Sequence, residues 1–188
     1  MVSLKTLVWQ QWDNIGLECL ELTESKDAVV VESAVIGFEG NIPFRLCYRL
    51  RCDENFQVLG VFIDILDRPP IYLFRRPTGQ WLSDRNEELP QLAGCNDIDI
   101  SATPFTNTLP IRRHDWQPGQ SRSLDMVYIR IPELTIERAT QHYTCLEKNQ
   151  QGGLFEYSQP GFTAILPIDA DGFVQNYPKL FRRLSSFS

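Results

Sequence analysis

The chain has 188 residues, 43% of them hydrophobic and 22% charged, an ordinary globular composition with room for one domain; disorder, collagen-like and coiled-coil readings are excluded. Eighteen Lys and Arg against 24 Asp and Glu give a net charge of −6, which makes a nucleic-acid backbone a poor partner. Of the basic residues 14 are Arg and 4 are Lys, a bias toward the side chain that makes planar, bidentate contacts with carboxylate or phosphate.

Residues 1–13 lack an apolar stretch followed by a small-residue cleavage site, and no apolar run reaches the roughly 18 residues a membrane span needs. A cytoplasmic protein without a transmembrane segment is therefore expected. Short runs of period two then recur at the spacing of an all-β domain. Strands are predicted over residues 4–9, 17–23 and 28–38. The next, over 44–52, is the most regular: Phe44, Leu46, Tyr48, Leu50 and Cys52 face one way, and Arg45, Cys47, Arg49 and Arg51 the other. Asp53-Glu54-Asn55 turns the chain into residues 57–65, a β-branched and aromatic run that pairs antiparallel with it. A loop at 67–70 leads to a strand over 71–76.

Residues 94–116 break this rhythm. Thr103 before Pro104 reads as an N-cap with proline at the first helical position, and Phe105 and Leu109 fall at i and i+4, so one or two helical turns are expected before Pro110 stops them. Strands resume over 123–131, 141–147, 154–158 and 162–168, with a loop at 149–153. Asp169-Ala170-Asp171-Gly172 is too short for a calcium loop and reads as a tight type I′ hairpin turn. Leu73-Phe74-Arg75-Arg76 recurs as Leu180-Phe181-Arg182-Arg183, either by coincidence or as equivalent edge strands. The expected fold is all-β and mostly antiparallel, a single curved sheet or incomplete barrel of many strands with one or two short helical segments near residues 103–110, as one domain over 1–188.

Five cysteines, Cys19, Cys47, Cys52, Cys95 and Cys145, form no C-x-x-C pair and read as small buried hydrophobes, not as a disulfide framework or zinc site. His114 and His142 belong to no H-E-x-x-H, and there is no G-x-S-x-G or Walker loop, so no metal, cofactor or catalytic residue is assigned. The densest polar cluster is residues 96–101, followed by Thr106-Asn107-Thr108 and Arg112-Arg113. Strand alternation puts Asp97, Asp99 and Ser101 on one face. The two carboxylates either neutralise Arg112 and Arg113 in an internal salt-bridge network or serve a ligand.

The segment Asp97-Ile98-Asp99-Ile100-Ser101-Ala102-Thr103-Pro104-Phe105-Thr106-Asn107-Thr108-Leu109-Pro110-Ile111-Arg112-Arg113 closely resembles the hallmark of the putative glycolipid-binding protein family of bacteria. Flanking matches are Trp9, Gly16 and Glu18, the 44–53 strand, Trp81, Gln141-His142-Tyr143, Asp171-Gly172-Phe173-Val174, Tyr177-Pro178 and Arg182-Arg183, so the resemblance runs from Trp9 to Arg183. It implies a many-stranded antiparallel domain, a curved sheet or incomplete barrel similar in shape to bacterial lipoprotein carriers, and brings no catalytic residues with it.

Two functions follow as expectations. One is non-enzymatic binding of a lipid or glycolipid on the inner face of the sheet. Phe44, Leu46, Tyr48, Leu50, Val61, Ile63 and Phe162 would line it, Arg45, Arg49, Asp97, Asp99, Thr106, Asn107, Arg112 and Arg113 are candidates for a sugar or anionic head group, and Trp81 is a stacking surface. The same apolar face is also what a filled core would show. The alternative is a hydrolase acting on a phosphorylated or glycosylated metabolite, with Asp97 and Asp99 as base or metal ligands and Arg112 and Arg113 stabilising negative charge.

Overall fold

A computed structural model describes residues 2–13 and 15–187, with residues 185–187 described by their backbone alone. Strands β1 (Ser3–Gln11), β2 (Leu17–Glu24), β3 (Val29–Glu39), β4 (Ile42–Cys52), β5 (Val58–Ile65), β6 (Ile71–Arg75) and β7 (Trp81–Ser83) pair antiparallel with their sequence neighbours. A second sheet holds β8 (Asp97–Ile100), β9 (Ser121–Arg130), β10 (Thr135–Asn149), β11 (Gly152–Gln159) and β12 (Phe162–Asp169). The chain then returns to the first sheet through β13 (Asn176–Tyr177) and β14 (Phe181–Phe187), which add to its β1 edge and make nine strands. The all-β, mostly antiparallel expectation holds, with the strands divided between two sheets that form no closed barrel.

The exception to antiparallel pairing is β8 with β9. Parallel neighbours need a crossover of a dozen or more residues, and the segment between these two strands supplies it. That segment carries a 3₁₀ turn, Phe105–Asn107, and α1 (Thr108–Arg113). Thr103 Oγ1 accepts from the Phe105 amide at 3.0 Å, the capping role its sequence position suggested. Pro110 does not end the helix as expected. The α-helical stretch begins only at Thr108, so Pro110 falls in its first turn, where a missing amide hydrogen is tolerated. The backbone leaves the helix instead at His114, which is extended.

The period-two pattern of the sequence is the burial pattern of the first sheet. Leu20 and Leu22 on β2, Val29, Val31 and Val35 on β3, and Phe44, Leu46, Tyr48, Leu50 and Cys52 on β4 all face inward. They form one continuous cluster with Phe105 and Leu109 of the crossover and with Ile98, Ile100, Val127 and Ile129 of the second sheet. The crossover is therefore a plug that fills the inner face. This corrects the expected lipid cavity there: of the apolar side chains proposed for it, Phe44 to Ile63 belong to the core cluster, with Phe44 and Tyr48 also reaching the edge of an opening, and Phe162 borders a separate cavity. At about 25 cal/mol per Å² of apolar surface, each fully buried Leu or Phe of this face contributes about 1.5–3 kcal/mol, which favours packing the face over leaving it open.

Three other expectations change. Gly172 has φ +82 but Asp171 does not take positive φ, so the 169–172 turn lacks the two left-handed residues of type I′. Asp169 Oδ1 closes it by accepting from the Asp171 and Phe173 amides at 3.0 and 2.9 Å. In the repeated tetrapeptide Leu73 is buried and Phe74 exposed, whereas Leu180 is exposed and Phe181 buried, so the two copies face opposite ways and the echo is coincidental. Cys52, Cys95 and Cys145 are buried, but Cys19 is exposed and Cys47 half-buried on the solvent face of the first sheet, because their inward neighbours on β2 and β4 hold the core positions.

Candidate functional site

Asp97 and Asp99 point to the same side of β8, as alternation requires, yet meet different environments. Asp97 is fully buried and receives two hydrogen bonds from Arg113, one from Nε to Oδ1 at 3.1 Å and one from Nη2 to Oδ2. Burial pushes its carboxyl pKa upward against the lowering effect of Arg113. Arg112 turns away, donates to Glu24 Oε1 at 2.9 Å and lies 4.1 Å above the Phe56 ring. The paired arginines of the motif thus tie the plug to β8 and to β2, and neither borders the cavity next to Asp99.

Asp99 stands on the floor of that cavity, which has a volume of about 180 Å³. Its Oδ1 accepts from Thr106 Oγ1 at 2.9 Å and its Oδ2 from Gln141 Nε2 at 2.6 Å, both neutral donors. Burial raises its pKa, and these two bonds oppose the rise. Tyr143 donates to Asn107 Oδ1 at 2.9 Å and fixes the orientation of that amide, which also lines the cavity. The remaining walls come from the far ends of several strands: Tyr128 of β9, Tyr157 and Gln159 of β11, Phe162 of β12, Tyr177 of β13 and Phe181 of β14. Tyr157, Phe162 and Tyr177 support one another with ring centroids 6.0–6.1 Å apart. The result is an aromatic wall over a carboxylate and a carboxamide.

A second opening of about 190 Å³ adjoins the first and shares Ser101, Leu180 and Phe181 with it. Its lining adds Phe38, Phe44, Ala102 and Ile131, with Gln11, Asp13, Glu39 and Lys179 at the edge. A buried carboxyl group connects to the first cavity through Tyr48 and Thr103. Glu18 Oε1 accepts from Ser33 Oγ at 2.8 Å and from the Tyr48 hydroxyl at 2.7 Å, and that hydroxyl is 3.3 Å from the Thr103 hydroxyl on the cavity wall. Glu18 Oε2 has no partner among the described residues, and burial lifts its pKa to about 7.

Of the candidates read from the sequence, Asp99, Thr106 and Asn107 come together here. Asp97, Arg112 and Arg113 form the structural ion pairs just described, so the four-residue catalytic arrangement of Asp97, Asp99, Arg112 and Arg113 is not assembled. Trp81 is 1% exposed and donates its indole N–H to Cys95 O at 3.0 Å, so it is a core residue and no stacking surface. Arg45 and Arg49 lie on the opposite face of the first sheet, paired with Asp64 at 3.8 Å and with Glu32. Arg49 borders an open groove of about 630 Å³ there, above Cys19, Ala34 and Cys47, lined also by Ser33, Tyr48, Phe62 and Tyr72. Sequence reasoning gave no role to Tyr128, Tyr157, Gln159 or Tyr177, which become neighbours only where strands β9 and β11 of the second sheet meet β13 of the first. Gln141, Tyr143, Tyr177 and Glu18 did carry a signal, as isolated matches flanking the main motif.

Among the described residues no group of three His, Cys, Asp or Glu side chains converges to hold a metal ion, and no helix is long and apolar enough to cross a membrane. The profile of a family described as "Putative glycolipid-binding" matches residues 6–183. A crystal structure of a DUF1089 family protein from Pseudomonas aeruginosa superposes with a TM-score of 0.78 at 31% sequence identity, covering 93% of this chain and 92% of that one. No curated protein matches the chain.

Proposed function

The chain belongs to the putative glycolipid-binding family, and on that premise we propose that it binds the sugar head group of a glycolipid, without catalysis, in the aromatic cavity at Asp99. The carrying observation is the convergence of Asp99, Asn107 and Gln159 beneath the rings of Tyr128, Tyr157, Phe162 and Tyr177. Sugars present hydroxyls at their edges and apolar C–H faces above and below the ring. A site built of carboxylate and carboxamide acceptors beside aromatic faces matches both. At about 30 Å³ per water the cavity displaces roughly six waters, which suits one ring and not a whole lipid.

The adjoining opening, walled by Phe38, Phe44, Ile131 and Leu180, gives the first carbons of the attached chain an apolar path. Head group and chain would then meet at Ser101 and Phe181, shared by both openings. The hydrolase alternative lacks support in this geometry, since a carboxylate beside tyrosines has no second acid or arginine facing it across the cavity.

The test is native mass spectrometry of the purified chain with an added short-chain glycolipid, alkyl glucoside for example, in wild type, Phe162→Ala and Ala34→Trp. Binding lost in Phe162→Ala and kept in Ala34→Trp supports the cavity. Binding lost only in Ala34→Trp places the ligand in the groove on the other face and overturns the proposal.

A further inference from the structure

We infer that the head group held at Asp99 carries a protonated amine, so that the ligand class is cationic, an amino sugar with its amine free. This rests on the cavity reading above and adds the charge of the ligand. The first observation is a missing partner. Asp97, Glu24 and Asp169 each face an arginine, Arg113, Arg112 and Arg183 respectively. Asp99, partly buried at the cavity, receives only the Thr106 hydroxyl and the Gln141 amide. A chain with 14 arginines places none of them on the carboxylate of this cavity.

The second observation is the sign of the surroundings. No Lys, Arg or His lines the cavity. Arg130 lies over the Tyr128 ring, 5.5 Å from its centroid, and is itself 3.7 Å from Glu137. An anionic head group entering here would meet like charge in a poorly solvated space, where repulsion is weakly screened. The third observation is the wall. The faces of aromatic rings are the negative ends of their quadrupoles and attract ammonium groups, most of all where water is excluded. A carboxylate and four aromatic side chains, Tyr128, Tyr157, Phe162 and Tyr177, lining one cavity form a site whose electrostatics and size ask for the same group, a compact cation on a ring-sized body.

Intrinsic tyrosine fluorescence or calorimetric titration of the full chain at neutral pH with glucosamine, glucose and glucuronate reads the charge directly. A charge-assisted hydrogen bond in place of a neutral one favours glucosamine over glucose by about tenfold, with glucuronate weakest. In Asp99→Asn the glucosamine-to-glucose ratio falls to near one. In wild type alone the ratio falls toward one as pH is raised past about 8 and the sugar amine loses its proton, while glucose binding holds, a readout that survives if the variant fails to fold. Equal binding of glucosamine and glucose overturns the charge assignment and leaves the sugar cavity standing. A ratio that persists in folded Asp99→Asn overturns Asp99 as its source. Failure of all three sugars to bind overturns the cavity reading together with the inference.

Discussion

Replacing Glu18 with Gln should flatten the dependence of stability on pH. Glu18 is 2% exposed on the inner face of β2, has no cation beside it, and keeps Oε2 without a partner. Burial therefore outweighs the hydrogen bonds from Tyr48 and Ser33 and moves its pKa from an ordinary 4.5 to about 7. A carboxyl group raised in the folded state binds its proton more tightly there than in the unfolded chain. Its contribution is fully present below pH 4.5 and is lost as pH rises through about 7. At about 1.4 kcal/mol per pH unit the loss is about 3 kcal/mol. His114 works in the opposite direction: burial and the neighbouring Arg113 and Arg122 lower its pKa to about 4, so its contribution is present above pH 6.5 and lost as pH falls through 4. Both chains carry His114, so the difference between them isolates Glu18. Urea unfolding of wild type and Glu18→Gln from pH 4.5 to 8 measures that difference, with the variant gaining about 3 kcal/mol on wild type across the range. Parallel profiles would refute the buried, unpaired carboxylate.

Removing Arg113 strands the fully buried Asp97, so Arg113→Ala should cost about 3–5 kcal/mol in denaturant unfolding. Arg112→Ala, which breaks a half-exposed pair with Glu24, should cost about 1 kcal/mol and leave sugar affinity unchanged; reduced affinity would return Arg112 to the site. Trp81→Phe loses the indole bond to Cys95 and part of its volume and should destabilise by about 1–3 kcal/mol without altering binding. Tyr177→Ala removes a ring from the cavity wall and should weaken sugar binding about fivefold to tenfold in the same titrations, beyond any effect of Tyr177→Phe.

The strands were legible because one buried face imposes period two, and β4, with Phe44 to Cys52 inside and its arginines outside, shows that pattern without interruption. What the pattern could not show is what covers the face. An apolar strand face reads the same whether it packs on protein or on a lipid chain, and only the position of Phe105 and Leu109 against it decides for a filled core. Short elements were lost for a different reason. Three residues in β7 and two in β13 are too few for alternation to register, and each exists because a longer neighbour offers it a sheet edge. Pro110 misled because its effect depends on where the helix starts, and the 3₁₀ turn before it moves that start to Thr108.

The arginine excess pointed toward an anionic ligand, and the structure gives that excess another use. Arginines close the internal carboxylates of the motif and of the 169–172 turn, with Arg113 on Asp97, Arg112 on Glu24, and Arg183 2.5 Å from Asp169. Such pairing spends the fork geometry of arginine on holding the plug and the last turn in place. Once these are assigned, the informative residue is the acid left over. Asp97 and Asp99 are two residues apart on one strand face, and sequence alone treats them alike. The fold separates them by giving one an arginine and the other a cavity. Glu18 also lacks a cation but is closed off by Ser33 and Tyr48, whereas Asp99 lines a cavity with aromatic walls, where a ligand can supply the missing charge, and the sign it calls for is positive.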